Sequence, residues 1–263
     1  MSDQDQSLPN LFIMGSGRSG TSMVAGLFRN AGYFMGSKLH APRHSNPMGF
    51  FEDATVNNVN EEILAPYVPA PVHRDGIVYQ ADAPGPGQRW LVRLSPDTNI
   101  SATPEQLDVI AGLAENQPFC FKDPRFSYTL HLWRAYAGDC RFICVFRDPA
   151  EVVESILTEC RSVNYLRNLS ISVKQAAEVW SYNYRNILQN HAGIGRWFFV
   201  AYDQIFEPGC LARLAAFTGA ELDREFPTKA LRRSKAAYQF GPDIQNLYDE
   251  LRQRSQQNMD LSP

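Results

Sequence analysis

The chain has 263 residues, 44% of them apolar and 20% charged, which is enough to bury a sizeable core. Its formal charge of −3 excludes a broadly basic binder of long nucleic acid, although a local cluster of cations stays possible. No run reaches the roughly 18 apolar residues of a membrane span, the start MSDQDQSLPN has no signal-peptide core, and no CxxC or HExxH pattern suggests a metal site.

Five scattered cysteines (Cys120, Cys140, Cys144, Cys160 and Cys210) fit buried free thiols, so a reducing, cytoplasmic setting is expected. Arginine outnumbers lysine 20 to 5. That excess means something only where arginines fall in motifs that grip anions.

In chain order, the first apolar run is Leu11–Met14, followed by the loop Gly15–Ser22 and a helical stripe of Met23, Val24, Leu27, Phe28 and Ala31. Residues 66–104 hold seven of the seventeen prolines and little periodicity, as in a lid or binding loop. Thr103-Pro104-Glu105-Gln106 is a capping box. Further apolar runs at Phe119–Phe121, Phe142–Phe146 and Trp197–Ala201 read as strands covered on both faces. Helical stripes lie at Val152, Val153, Ile156, Leu157 and Cys160, and at Val179, Trp180, Tyr184, Ile187 and Leu188. The polar tail after Asp243 reads as a surface helix that frays. Strands alternating with helices predict an α/β fold with a central parallel sheet.

The loop Gly15-Ser16-Gly17-Arg18-Ser19-Gly20-Thr21-Ser22 lies between the first strand and the first helix. Its glycines let backbone N–H groups converge on an anion at a helix start. The spacing is that of a P-loop, but Thr21 stands where nucleoside triphosphatases carry lysine, which disfavours a kinase. Asp148 ends a strand, yet Asp148-Pro149-Ala150-Glu151 is explained by helix capping. Lys122 and Arg147 each follow a strand, at the edge where open α/β sheets bind ligands. Ser155, on the flank of the helix after Arg147, is placed to share a phosphate with it.

GSGRSGTS after the first strand, with R-D-P-x-x-V-x-x-S at Arg147–Ser155, resembles the sulfotransferases that use 3′-phosphoadenosine 5′-phosphosulfate (PAPS). Asn46-Pro47-Met48-Gly49-Phe50-Phe51-Glu52 resembles a segment of bacterial and carbohydrate-type members, as do Lys122-Asp123-Pro124-Arg125 and Leu231-Arg232-Arg233-Ser234. The resemblance implies one P-loop-containing three-layer α/β/α domain over residues 1–263, with 66–104 as an acceptor-side insertion or lid. It implies PAPS as co-substrate, PAP as product, no metal, and a small-molecule or glycan acceptor.

By the same resemblance, Ser16, Gly17, Arg18, Ser19, Gly20, Thr21 and Ser22 hold the 5′-phosphosulfate, Arg147 and Ser155 the 3′-phosphate, and Tyr202 neighbours the adenine. Lys122 and Arg18 would neutralise charge during transfer. The K-T-H segment that carries the histidine base of cytosolic members is missing. Glu52, in the apolar stretch Gly49-Phe50-Phe51, is the first candidate base, because apolar surroundings favour a protonated carboxyl. His40, His44 and His131 are its rivals. A non-catalytic nucleotide-binding member is the alternative function. Tyr67, Tyr79, Trp90 and Arg93 are candidates for the acceptor pocket.

Overall fold

Successive residues of the buried strands point to opposite faces, and the two faces build two separate cores. Leu11 and Ile13 of β1 (Asn10–Met14) pack with Val24 and Phe28, while Phe12 and Met14 pack on the other face with Phe126 and Trp133. The computed structural model describes residues 7–44, 46–69, 73–74, 77–78, 82–226 and 238–260.

The sheet is all parallel, in the order β4 (Cys120–Lys122), β1, β5 (Cys140–Phe146), β6 (Arg196–Ala201). A two-residue hairpin, β2 (His73–Arg74) with β3 (Ile77–Val78), stands apart from it. One face carries α1 (Thr21–Gly26) and α7 (Pro208–Thr218). The other carries α2 (Ala54–Leu64), α3 (Pro104–Ala114), α4 (Phe126–Arg134), α5 (Pro149–Ser162), α6 (Val173–Asn186) and α8 (Pro242–Asp260). This is the expected α/β architecture of helices on both faces of a parallel sheet.

All four expected strands are present, within two residues of the expected starts. The chain runs from β1 outward in both directions, so the carboxyl end of β1 is a topological switch point. The capping box at Thr103 forms, and Asp148 Oδ1 accepts from the amides of Ala150 and Glu151.

Two helices differ from expectation. The first ends at Gly26, and Leu27 and Phe28 close it with tight i→i+3 bonds to Val24 and Ala25. Gly26 packs directly on the Phe226 ring, leaving no room there for a side chain. The C-terminal helix is polar in sequence but does not simply lie on the surface. Leu247, Leu251 and Ser255 are buried, and Asn258 donates to the Phe199 carbonyl at 2.8 Å, so α8 covers the exposed edge of β6.

The five cysteines are free. Burial pushes Cys140 and Cys160 up to about 11 and Cys210 to about 12, so they stay thiols near neutral pH. Among the described residues, no helix is long and apolar enough to cross a membrane.

Candidate active site

The loop after β1 folds tightly because two of its glycines are crowded by aromatic rings. A Cβ on Gly17 would strike the Trp90 ring, and one on Gly20 would strike Tyr202. Gly20 also has φ 94°, a left-handed conformation that suits glycine. The Ser19 amide turns back to the Ser16 carbonyl at 3.2 Å. The amides of Gly17, Gly20, Thr21 and Ser22 have no protein acceptor among the described residues, so they stay available to an anion.

The loop hydroxyls divide in a way the sequence did not reveal. Ser16 and Ser19 are fully buried, and Tyr184 of α6 bridges Ser19 Oγ and the Val145 carbonyl, 2.9 Å from each. These two serines brace the loop from behind, while Ser22 faces Lys122.

Lys122 ends β4 beside the loop. Its Nζ donates to Ser22 Oγ at 3.1 Å and forms an ion pair with Glu52 Oε1. The two residues expected to carry the chemistry are thus in contact, though 70 positions apart. Glu52 is not the helix cap: Asp53 caps α2, accepting from Thr55 and Val56 and from the Lys38 amide. Phe51, with φ 53°, takes a left-handed turn just before Glu52. The apolar setting expected for Glu52 is only half of its environment, because the Lys122 ammonium is its partner.

Arg147 follows β5. Its Nε donates to Glu151 at 2.5 Å, its guanidinium lies 4.7 Å from the centre of the Tyr202 ring, and its buried Nη2 has no hydrogen-bond partner among the described residues. An orphan guanidinium donor inside the fold is a costly arrangement that an anion would relieve. Arg18 takes φ 72°, a left-handed conformation unusual for a residue with a side chain. It donates from Nε to Ser155 Oγ at 3.0 Å and lies 3.6 Å from Glu159. The structure therefore places Arg18 beside Ser155, linking the two expected phosphate sites. Each of the three expected cations has a carboxylate neighbour, so the notch is charge-balanced and not a bare cationic patch.

Sequence reasoning missed the network beneath these groups. Glu61 of α2 accepts from the Gly87 and Arg89 amides, from Arg89 Nη1, and from Arg125. Arg125 also binds Asp123, which in turn accepts from Asn57 and Asn60, both at 2.9 Å. Asp123 is thus a buried hub, and its Oδ1 also accepts from the Arg125 amide at 2.9 Å, two residues on, as Asp148 does from Ala150. The network anchors residues 87–89 on α2, and so holds Trp90 over Gly17. The signal in sequence was Asn57 and Glu61 at i, i+4, one helical face pointing at K-D-P-R.

His40 lies beside Glu52, its amide donating to the Glu52 carbonyl at 2.9 Å. Its Nε2 is 2.9 Å from Asn57 Oδ1. Since the Asn57 amide nitrogen donates to Asp123, its oxygen must accept, so His40 Nε2 carries a proton. His131 is instead tied to the Ile100 carbonyl and stacked on His191. Tyr67 binds Ser101, and Arg93 lies 3.5 Å from Glu178 on α6. Tyr79 and the Leu231–Ser234 element lie outside the described residues.

The family model described as "Sulfotransferase family" matches residues 9–224. The sulfotransferase domain from the Synechococcus PCC 7002 olefin synthase is similar, with a TM-score of 0.51 at 18% identity, covering 95% of this chain and 98% of that one. The sulfotransferase domain from the curacin biosynthetic pathway gives 0.52 at 18% identity, covering 94% of this chain and 98% of that one. At such identity these likenesses speak for the fold. No match was found among the curated proteins.

Proposed function

Because this chain belongs to the sulfotransferase family, we propose that it transfers a sulfuryl group from PAPS to an acceptor hydroxyl. The observation that carries the choice of donor is the pairing of two anion-ready sites on one sheet edge. One is the set of open amides at Gly17, Gly20, Thr21 and Ser22, and the other is the buried orphan Nη2 of Arg147 near Tyr202. The 5′ and 3′ phosphates of one nucleotide fit that pair.

Transfer breaks the bond between sulfur and the bridging oxygen of the leaving phosphate, and forms a bond from sulfur to the acceptor oxygen. In this proposal Lys122 and the loop amides stabilise the charge that builds on the leaving oxygen. Glu52 takes the acceptor's proton. Arg147, Ser155 and Arg18 hold the 3′ end of the nucleotide, and Tyr202 gives the adenine an aromatic neighbour. Ser16 and Ser19 keep the loop in shape. Residues 66–104 form an acceptor-side lid whose described inner part, Trp90, rests on Gly17. The whole chain works as one domain, in the cytoplasm, without a metal.

Labelled PAPS incubated with a panel of hydroxyl acceptors tests this. The expected result is label on an acceptor and release of PAP, with Glu52→Gln lowering turnover while leaving PAP binding intact. PAP binding without turnover of any acceptor would favour a non-catalytic member instead.

A further inference from the structure

Arg43 lies in the segment that leads to Glu52, and its surroundings are unusual for an exposed arginine. Its guanidinium lies 5.9 Å from the centre of the Phe50 ring and 5.7 Å from that of Tyr165. Both are within stacking range of a cation on an aromatic face. Among the described residues no carboxylate lies within ion-pair distance of it. Its backbone is fixed by mutual hydrogen bonds with Asn46, of 3.3 and 2.8 Å. The head group is therefore positioned by rings while its donors stay free.

Two chains of contact lead from Arg43 to the reacting centre. Phe50 is two residues from Glu52, which pairs with Lys122. Tyr165 has its hydroxyl in hydrogen-bond reach of the Trp90 indole and feels the charge of Glu52, and Trp90 covers Gly17. Burial, then the charges of Glu159 and Glu52, raise the Tyr165 phenol to about 12 against the opposing Trp90 hydrogen bond, so it stays neutral. The same region exposes large apolar side chains: Leu39 is 47% exposed, Met48 42% and Tyr165 40%. An apolar rim with one ring-held cation set outward of the chemistry matches an amphipathic ligand with its charge at the far end.

We infer that Arg43, with Phe50 and Tyr165, is the acceptor-recognition site, and that the acceptor is a hydroxylated molecule with a flat apolar body and a terminal carboxylate. This rests on the sulfotransferase reading above. The hydroxyl enters between Glu52 and the loop, the body lies along Tyr165 and Trp90, and the carboxylate receives the Arg43 fork. Neutral alcohols of the same shape lose that last contact.

The test is calorimetric, on the intact chain, first with PAP alone and then with PAP present. The probes are p-coumarate and longer hydroxyaryl acids, each against its methyl ester. The acids are expected to bind about tenfold more tightly than the esters, as one charge-assisted bidentate contact provides. Arg43→Ala should erase that preference and leave PAP affinity unchanged, and Arg43→Lys should restore part of it. Equal binding of acid and ester throughout the panel, or a preference that survives Arg43→Ala, overturns the inference. Failure of PAP to bind in the first arm overturns the nucleotide reading beneath it, and so separates the two.

Discussion

Arg147 offers the sharpest prediction at the scale of single residues. Its Nη2 is buried without a partner among the described residues, so an anion that meets it gains a charge-assisted bond at little cost in reorganisation. Arg147→Ala is expected to weaken PAP roughly a hundredfold by calorimetry, about the effect of losing one or two such bonds. Glu52→Gln should lower kcat by about 10²–10⁴, the range for a lost general base, with little change in PAP affinity. His191 makes a different prediction. Burial, with Arg134 and His131 adding to it, lowers its pKa to about 3. The unfolded chain takes up that proton below about pH 6.5 while the native chain does not. Stability is then full above pH 6.5 and falls as pH drops toward 3, by about 2 kcal/mol from this group at pH 5. Urea melts at the two pH values should show this slope, and His191→Gln should flatten it. The sequence made Arg147, Lys122 and Glu52 legible because each sits in a motif. It did not show the carboxylate beside each cation, since Glu151 and Glu159 are spaced like any helix-surface residues.

At the scale of elements, α2 does more than the sequence suggested. Its N-cap Asp53 sets the turn that presents Glu52, and its face of Asn57, Asn60 and Glu61 clamps the K-D-P-R segment and residues 87–89. Removing the Glu61 charge leaves the half-buried Arg89 without its carboxylate and the buried Arg125 with Asp123 alone. Glu61→Gln should therefore cost about 3 kcal/mol of stability in denaturant melts. It should also raise KM for PAPS, since Trp90 loses its anchor over Gly17. An unchanged KM would separate this network from the site. The helix starts at Thr103 and Asp148 were readable from local capping signals. The early end of α1 and the burial under α8 were not, because Phe226 and the edge of β6 come from elsewhere in the chain.

For the whole molecule, four apolar runs announced the strands, but their order β4-β1-β5-β6 depends on pairings between distant segments. That order brings the loop after β1, Lys122, Arg147 and Tyr202 to one edge of the sheet. The net charge of −3 goes with a notch in which each cation has a carboxylate neighbour. On the proposed reading, the loop amides take one phosphate of the nucleotide and Arg147 the other. Thermal unfolding with PAP, with AMP, which lacks only the 3′-phosphate, and with ATP plus Mg²⁺ tests this most directly. PAP should raise the melting temperature clearly, AMP much less, and ATP with Mg²⁺ little. Stabilisation by ATP with Mg²⁺ and none by PAP would contradict the account.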